Sequence, residues 1–403
     1  MKEGQVMKIN KTIVTIGTTI LLISSVVPAA LALNAASKES TGFVKPTISS
    51  LKDLDHVEVL KSLNNAQTVN LSVYGVSDSQ LDKQTEYLKT LNGNELFETL
   101  GELSIYDEPN FERYAEAILP YLNKQWQGKV PTGVSDILAD QEYNSKLRAF
   151  IIDILANGNK LDRNSLEKMK TVIENKDEDG NLRRYALLQL EPQKDPVLST
   201  EEKSINLKAI FDDSNESVQV RSAAITAMRR LNDPNFKVVL SSLSKSENAN
   251  DPLLRTLFTS AAKVGELDDY IEVVKKILNE TKDEQVFGST IYALGISGGE
   301  EAVYLVVHHQ GKFKGNTEEI GRYSLLRNLN TISSMLKSQS DDKIITALKA
   351  SEIINYGEAY PGIKEIRKNS KNSEVIKAAE HALETIIPEN LVDEFNTKKW
   401  EGR

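Results

Sequence analysis

The chain has 403 residues, 40% hydrophobic and 27% charged, with a net charge of −9. That is a folding composition, too long for one compact core and suited to two domains or one elongated array. Cysteine is absent, which excludes disulfides, thiolate nucleophiles and zinc–thiolate sites, and the acidic balance opposes nucleic acid as a partner, since that affinity rests on neutralising phosphates.

Taken in chain order, the first feature is an export signal. Lys8 and Lys11 precede an uncharged stretch from Thr12 to Leu33, which contains Ile20-Leu21-Leu22-Ile23 and closes on Ala30-Leu31-Ala32. This is the basic, apolar, small-x-small order that a signal peptidase accepts. Residues 1–32 therefore read as a signal peptide and the protein as secreted or cell-surface. An uncleaved anchor is the alternative, although the apolar run is barely long enough to span a bilayer. Removal of the segment takes away three Lys and one Glu and moves the net charge from −9 to −11. Residues 33–50 are polar and read as a flexible lead-in. Residues 51–107 read as a small helical cap, with helical patterns at 51–64, Asp78–Leu91 and Asn94–Leu103, and one alternating, extended segment over Thr68–Val76. Residues 108–387 are helix separated by short polar turns, and 388–403 form a tail. Glycine (21) and proline (11) are sparse, which suits stacked helices better than a turn-rich sheet.

Within 108–387 the chain repeats itself. An early apolar residue of each second helix falls on Leu147, Leu182, Val220, Leu254, Val286, Ile320, Ile344 and Val375. The first five intervals are 35, 38, 34, 32 and 34 residues; the last two, 24 and 31, are irregular. Three positions before each mark stands a residue able to cap a helix: Asn144, Asp179, Ser217, Asp251, Asp283, Thr317, Asp341 and Asn372. Apolar residues then follow at helical spacing, as in Val220, Ala224, Ala227, Met228 and Leu231. One such hairpin cannot bury its apolar faces alone, so neighbouring copies must share a core.

Val220-Arg221-x-x-Ala224-x-x-Ala227-Met228, running on to Asp233-Pro234, resembles a HEAT repeat. Ala293-Leu294-Gly295-Ile296-Ser297-Gly298, followed by Ala302-Val303, resembles the HEAT-like variant of bilin lyases. Arg148, Arg183, Arg221 and Arg255 occupy the position after the mark, where that family often places a basic residue; later copies lose it. The resemblance implies an all-α, right-handed α-solenoid of about seven or eight helix pairs, with second helices lining a concave face. It implies a binding habit and no activity.

Motifs for catalysis are weak. His308 and His309 are adjacent and point about 100° apart on a helix, which does not suit one metal. Gly295-Ile296-Ser297-Gly298-Gly299 fits the G-x-S-x-G nucleophile elbow in letters, but a helical pattern precedes it where that elbow needs a strand. Asn175, Asp177, Asp179 and Gly180 match half a calcium loop, and the closing ligand position is Ala186. The expectation is a chain that is not an enzyme and carries no cofactor: an exported scaffold presenting its helical surface to a protein partner. A solenoid-based enzyme and a binder of an anionic cell-surface polymer are the alternatives. The residues singled out for binding are Arg183, Arg184, Arg221, Arg229, Arg230 and Arg255, as a basic strip, and Trp126 as an anchor. The competing reading of the arginine ladder is structural, each rung pairing with an acid of the next repeat.

Overall fold

The computed structural model describes residues 45–52, 86–106, 111–126, 130–157, 161–192 and 204–388, all within the unit Phe43–Arg403. The expected signal peptide, the extended segment over Thr68–Val76 and the C-terminal tail from residue 389 lie outside them. Among the described residues there are helices and no strands. Three helices come first: α1 (Ile48–Leu51), α2 (Gly93–Ile105) and α3 (Phe111–Gln125). Eight helical pairs follow: α4 (Thr132–Leu138) with α5 (Ser145–Asn157), α6 (Arg163–Glu174) with α7 (Gly180–Leu188), α8 (Leu207–Asp212) with α9 (Val218–Arg230), and α10 (Asn235–Leu243) with α11 (Leu253–Lys263). The array continues with α12 (Ile271–Glu280) and α13 (Glu284–Ser297), α14 (Gly299–His309) and α15 (Asn316–Leu326), α16 (Leu329–Met335) and α17 (Asp341–Ile354), and α18 (Tyr360–Asn369) and α19 (Ser373–Thr385).

Each first helix packs on its own second helix, and the second helices α5, α7, α9, α11, α13, α15, α17 and α19 pack in turn, each on the next. The chain is therefore an all-α solenoid of HEAT-like hairpins. Its core is a continuous strip rather than a ball: one buried cluster runs from Leu51 to Ile354, and a second gathers Leu348, Ile363, Ala379 and Ala382 at the last pair. Small side chains set the spacing. Ala224, Ala227, Ala261, Ala293, Ala347, Ala350, Ala379 and Ala382 are all buried on second helices, where a larger residue would hold neighbours apart. The extreme case is Gly295. A Cβ there would stand 2.6 Å from Ser324 Oγ and 2.8 Å from Ser324 Cα, so α13 and α15 meet almost backbone to backbone.

Helix starts follow the sequence at most pairs. Side chains of Asn144, Asp179, Ser217, Asp251, Asp283 and Asn372 accept from amides of the following turn. Two of the expected caps are corrected. Thr317 lies inside α15, which starts behind Gly315 at φ 77°, a left-handed conformation suited to glycine. Thr317 is turned inward and donates to Glu284 Oε1 at 2.9 Å. Asp341 is the first residue of α17 and accepts from Asn372 Nδ2 at 2.7 Å, across to the next pair. These are the copies where the intervals lose their period.

The end of the expected flexible lead-in is built into the fold. Thr47 caps α1 through Ser50 N–H at 3.1 Å, Tyr143 donates to Pro46 O at 2.7 Å, and Lys45 pairs with Asp140 at 2.9 Å. Leu51 is 1% exposed and fills the space that Gly101 leaves on α2.

Candidate binding face

The arginine after each mark serves the junctions between pairs. Arg148, Arg183 and Arg221 each donate Nε–H to a carbonyl at the end of their own first helix: Leu138 at 2.8 Å, Ile173 at 2.9 Å and Phe211 at 2.8 Å. Those carbonyls are among the four that a helix end leaves without an internal partner. The guanidinium then reaches the next pair. Arg148 Nη1 donates to Glu178 at 3.0 Å, and Arg183 grips Glu216 with two bonds, 2.8 and 2.6 Å. Each glutamate stands directly before the cap of the next second helix, Asp179 or Ser217. Arg148 is 2% exposed and Arg183 4%, so Arg183 offers no free face to a ligand and its place in the expected basic strip is corrected. Burial alone would raise Glu178, but the hydrogen bonds from Arg148 and the Asp179 amide, with the arginine's charge, hold it below its ordinary value.

Further along, the rungs change chemistry. Arg221 is half-buried, with its guanidinium 5.3 Å from the centre of the Phe211 ring. Arg255 donates to the neutral Gln285 at 2.6 Å. Asn250 then ties the next junction, accepting from Thr281 Oγ1 at 3.0 Å and from the amides of Lys282 and Asp283 at 2.8 and 3.2 Å. Ser324 donates to Ile291 O at 3.0 Å, and Asn328 to Gly295 O at 3.3 Å.

The remaining expected residues fall into two places. Trp126 closes α3 and is half-buried, its ring 6.2 Å from Phe97 and its indole against Gly93 at the start of α2. Arg184, on α7, is half-buried. Arg229 and Arg230 end α9, and Lys263 ends α11, the next second helix. Arg230 donates to the Leu188 carbonyl at the end of α7, and its nearest carboxylate, Glu191, is 3.9 Å away with a side chain 69% exposed. Arg229 Nε is buried and has no hydrogen-bond partner. Burial, and then the charge of Arg230, lowers Arg229; burial, then Arg229 and Arg230, lowers Lys263. Sequence reasoning passed over Lys263, although its signal was present: it stands 34 residues after Arg229, the same interval as between Val220 and Leu254.

An acidic pair sits nearer the N-terminus of the same row. Tyr185 of α7 donates its hydroxyl to Asp153 of α5. Burial chiefly raises Asp153, the Tyr185 bond opposes this, and the charges of Glu116 and Glu112 on α3 raise it further. The tyrosine is itself pushed up, by burial and then by the Asp153 charge.

The catalytic look-alikes resolve as turns. Gly295–Gly299 spans the end of α13, a break at Gly298 (φ 74°) and the start of α14, so helix precedes Ser297 and no elbow forms. Asn175 accepts from Asp177 N–H, and Asp179 caps α7, making the half calcium loop a capped interhelical turn. His308 stacks on Tyr304 with centroids 5.7 Å apart, and His309 Nε2 lies 3.1 Å from Asn279 Oδ1.

No family profile matches the chain, and neither does any curated relative. Among solved structures it is similar to human deoxyhypusine hydroxylase in complex with glycerol, at 14% identity and a TM-score of 0.28, over 69% of this chain and 98% of that one. The expectation that the chain is not an enzyme is corrected on this finding, because the neighbour is itself an enzyme. A likeness this weak carries no activity across; the HEAT-like class rests on the eight stacked pairs themselves.

Proposed function

We propose that the chain is an exported scaffold whose row of second helices receives a protein partner. The observation that carries this reading is the unbroken side-by-side run of eight second helices. Its polar rungs are largely spent between neighbours, which fixes the row as one surface and leaves the outward positions for recognition. Tyr323 and Leu326 on α15 are 52% and 42% exposed, a pair of large apolar side chains on one second helix. Export is supported by the order of Lys8, Lys11, the uncharged run and Ala30-Leu31-Ala32. Ala293-Leu294-Gly295 and the close approach at Gly295 favour the bilin-lyase type of HEAT hairpin. An anionic cell-surface polymer is the weaker alternative, because Arg148 and Arg183 are enclosed and already paired.

The test is site-specific photo-crosslinking of the full chain in its native surface setting. A crosslinker replacing Tyr323, on a second helix, should give one discrete product. A crosslinker replacing Val238, 55% exposed on the first helix α10, should not. Equal labelling from both positions, or no discrete product from Tyr323, refutes the reading.

A further inference from the structure

We propose that Arg229, Arg230 and Lys263 form a binding site for a compact, multiply charged oxyanion of the phosphate type. The three cations sit in the last turns of consecutive, directly packed second helices. A single cation at a helix C-terminus is ordinary, because the helix dipole favours it there. Here that account is insufficient. A dipole supplies no acceptor to a buried N–H, and Arg229 Nε is buried and unpartnered. Arg230 is drawn to the Leu188 carbonyl and only loosely to the exposed Glu191, and Lys263 has no ion pair among the described residues. In a chain of net charge −9, with carboxylates in excess, two half-buried arginines and an exposed lysine at neighbouring helix ends without a close carboxylate are anomalous. Burial first, and then their mutual repulsion, lowers Arg229 and Lys263, and an anion held between them relieves the repulsion.

The chemistry of that anion follows from the donors. Two guanidinium groups and one ammonium at neighbouring helix ends offer more N–H donors than a single carboxylate can use, and a tetrahedral oxyanion can accept them. A long polyanion is disfavoured because the net charge of −9 repels it. The site stands whether or not a protein partner docks on the row.

The experiment is equilibrium dialysis of the full chain against inorganic phosphate and, separately, glycerol 1-phosphate, with sodium chloride holding ionic strength constant. Saturable binding of one phosphate group per chain is expected. K263Q and R229Q should each weaken it by about tenfold or more, the scale of one lost charge-assisted hydrogen bond, while K349Q, at a remote exposed lysine, leaves it unchanged. Equal affinity for the two ligands marks a site for the free ion, and tighter glycerol phosphate marks one for a monoester. Circular dichroism checks that each variant folds. R229K, which keeps the charge and loses the Nε–H fork, should bind between wild type and R229Q. Non-saturable uptake, or binding that K263Q and R229Q both leave unaltered, overturns the proposal.

Discussion

Glu216→Ala is the sharpest probe of how the pairs are joined. Among the described residues Glu216 is the only carboxylate bonded to Arg183, and the two side chains are 9% and 4% exposed. Truncating it leaves a guanidinium still bonded to Ile173 O at 2.9 Å but without a counter-charge, in a place water does not reach. Breaking a buried pair from one side costs about 3–5 kcal/mol, a third or more of the stability of an ordinary domain. Removing both charges is different: Arg183→Met with Glu216→Leu should lie within about 1 kcal/mol of wild type or above it, since apolar replacement of a buried pair is often neutral or stabilising. Arg255→Ala is the internal control. Its partner is the neutral Gln285, and its loss should cost about 1 kcal/mol. Urea unfolding followed by far-UV circular dichroism gives the three values, and amide exchange in α7 and α9 shows whether the damage is local to the junction, as nearest-neighbour coupling in a repeat array requires. A loss below about 1 kcal/mol for Glu216→Ala, or a double variant as unstable as the single one, would refute the reasoning.

Three further outcomes follow from the geometry. Gly295→Ala forces a Cβ against Ser324 Cα at 2.8 Å, and the overpacking, about 1–3 kcal/mol, should exceed the gain of about 1 kcal/mol in helix propensity; Gly180→Ala, with nothing within 4 Å of its Cβ, should instead raise the thermal midpoint. Glu178 lies below its ordinary 4.5 in the folded chain, so its pairing with Arg148 is fully stabilising above about pH 4.5 and is lost as pH falls through the depressed value; Glu178→Gln should flatten that acid limb in pH-dependent unfolding. Asp153 has the opposite sign. It is raised above 3.8, so native stability falls as pH rises from that value through the folded one, and Asp153→Asn, which keeps an acceptor for Tyr185, should remove this fall and leave the chain more stable than wild type at pH 7.

The hairpins were legible because a cap and an apolar stripe are local. Asn144, Asp179, Ser217, Asp251, Asp283 and Asn372 act where the spacing put them, and the Ala224–Ala227 stripe is buried as its period required. Thr317 and Asp341 were misread because their side chains have better partners one pair away, Glu284 and Asn372. A bond between residues some 30 positions apart leaves no mark in either local window. The same limit hid the fate of Arg183. Its position after the mark was visible, but only the placement of Glu216 before the next cap shows it to be enclosed rather than displayed.

A repeat makes such long-range partners recoverable if the period is applied to polar residues as well as apolar ones. Glu178 and Glu216 are 38 positions apart, as are Leu182 and Val220, and 34 positions separate Arg229 from Lys263, as they do Val220 from Leu254. Residues at equal phase on successive second helices meet side by side, because those helices pack directly. Opposite charges five positions out of phase give a rung, as Arg183 and Glu216 do, 33 positions apart where their marks Leu182 and Val220 are 38 apart. Equal phase with like charge gives either repulsion or a site, and the cost of repulsion is avoided when the cations remain exposed to water. Arg229 does not remain exposed: it is half-buried, and its Nε–H faces no acceptor, while Lys263 stays exposed. Like charges at equal phase, where one of them buries an N–H that faces no acceptor, therefore mark the point on a solenoid where an outside group, not a neighbouring repeat, completes the pairing.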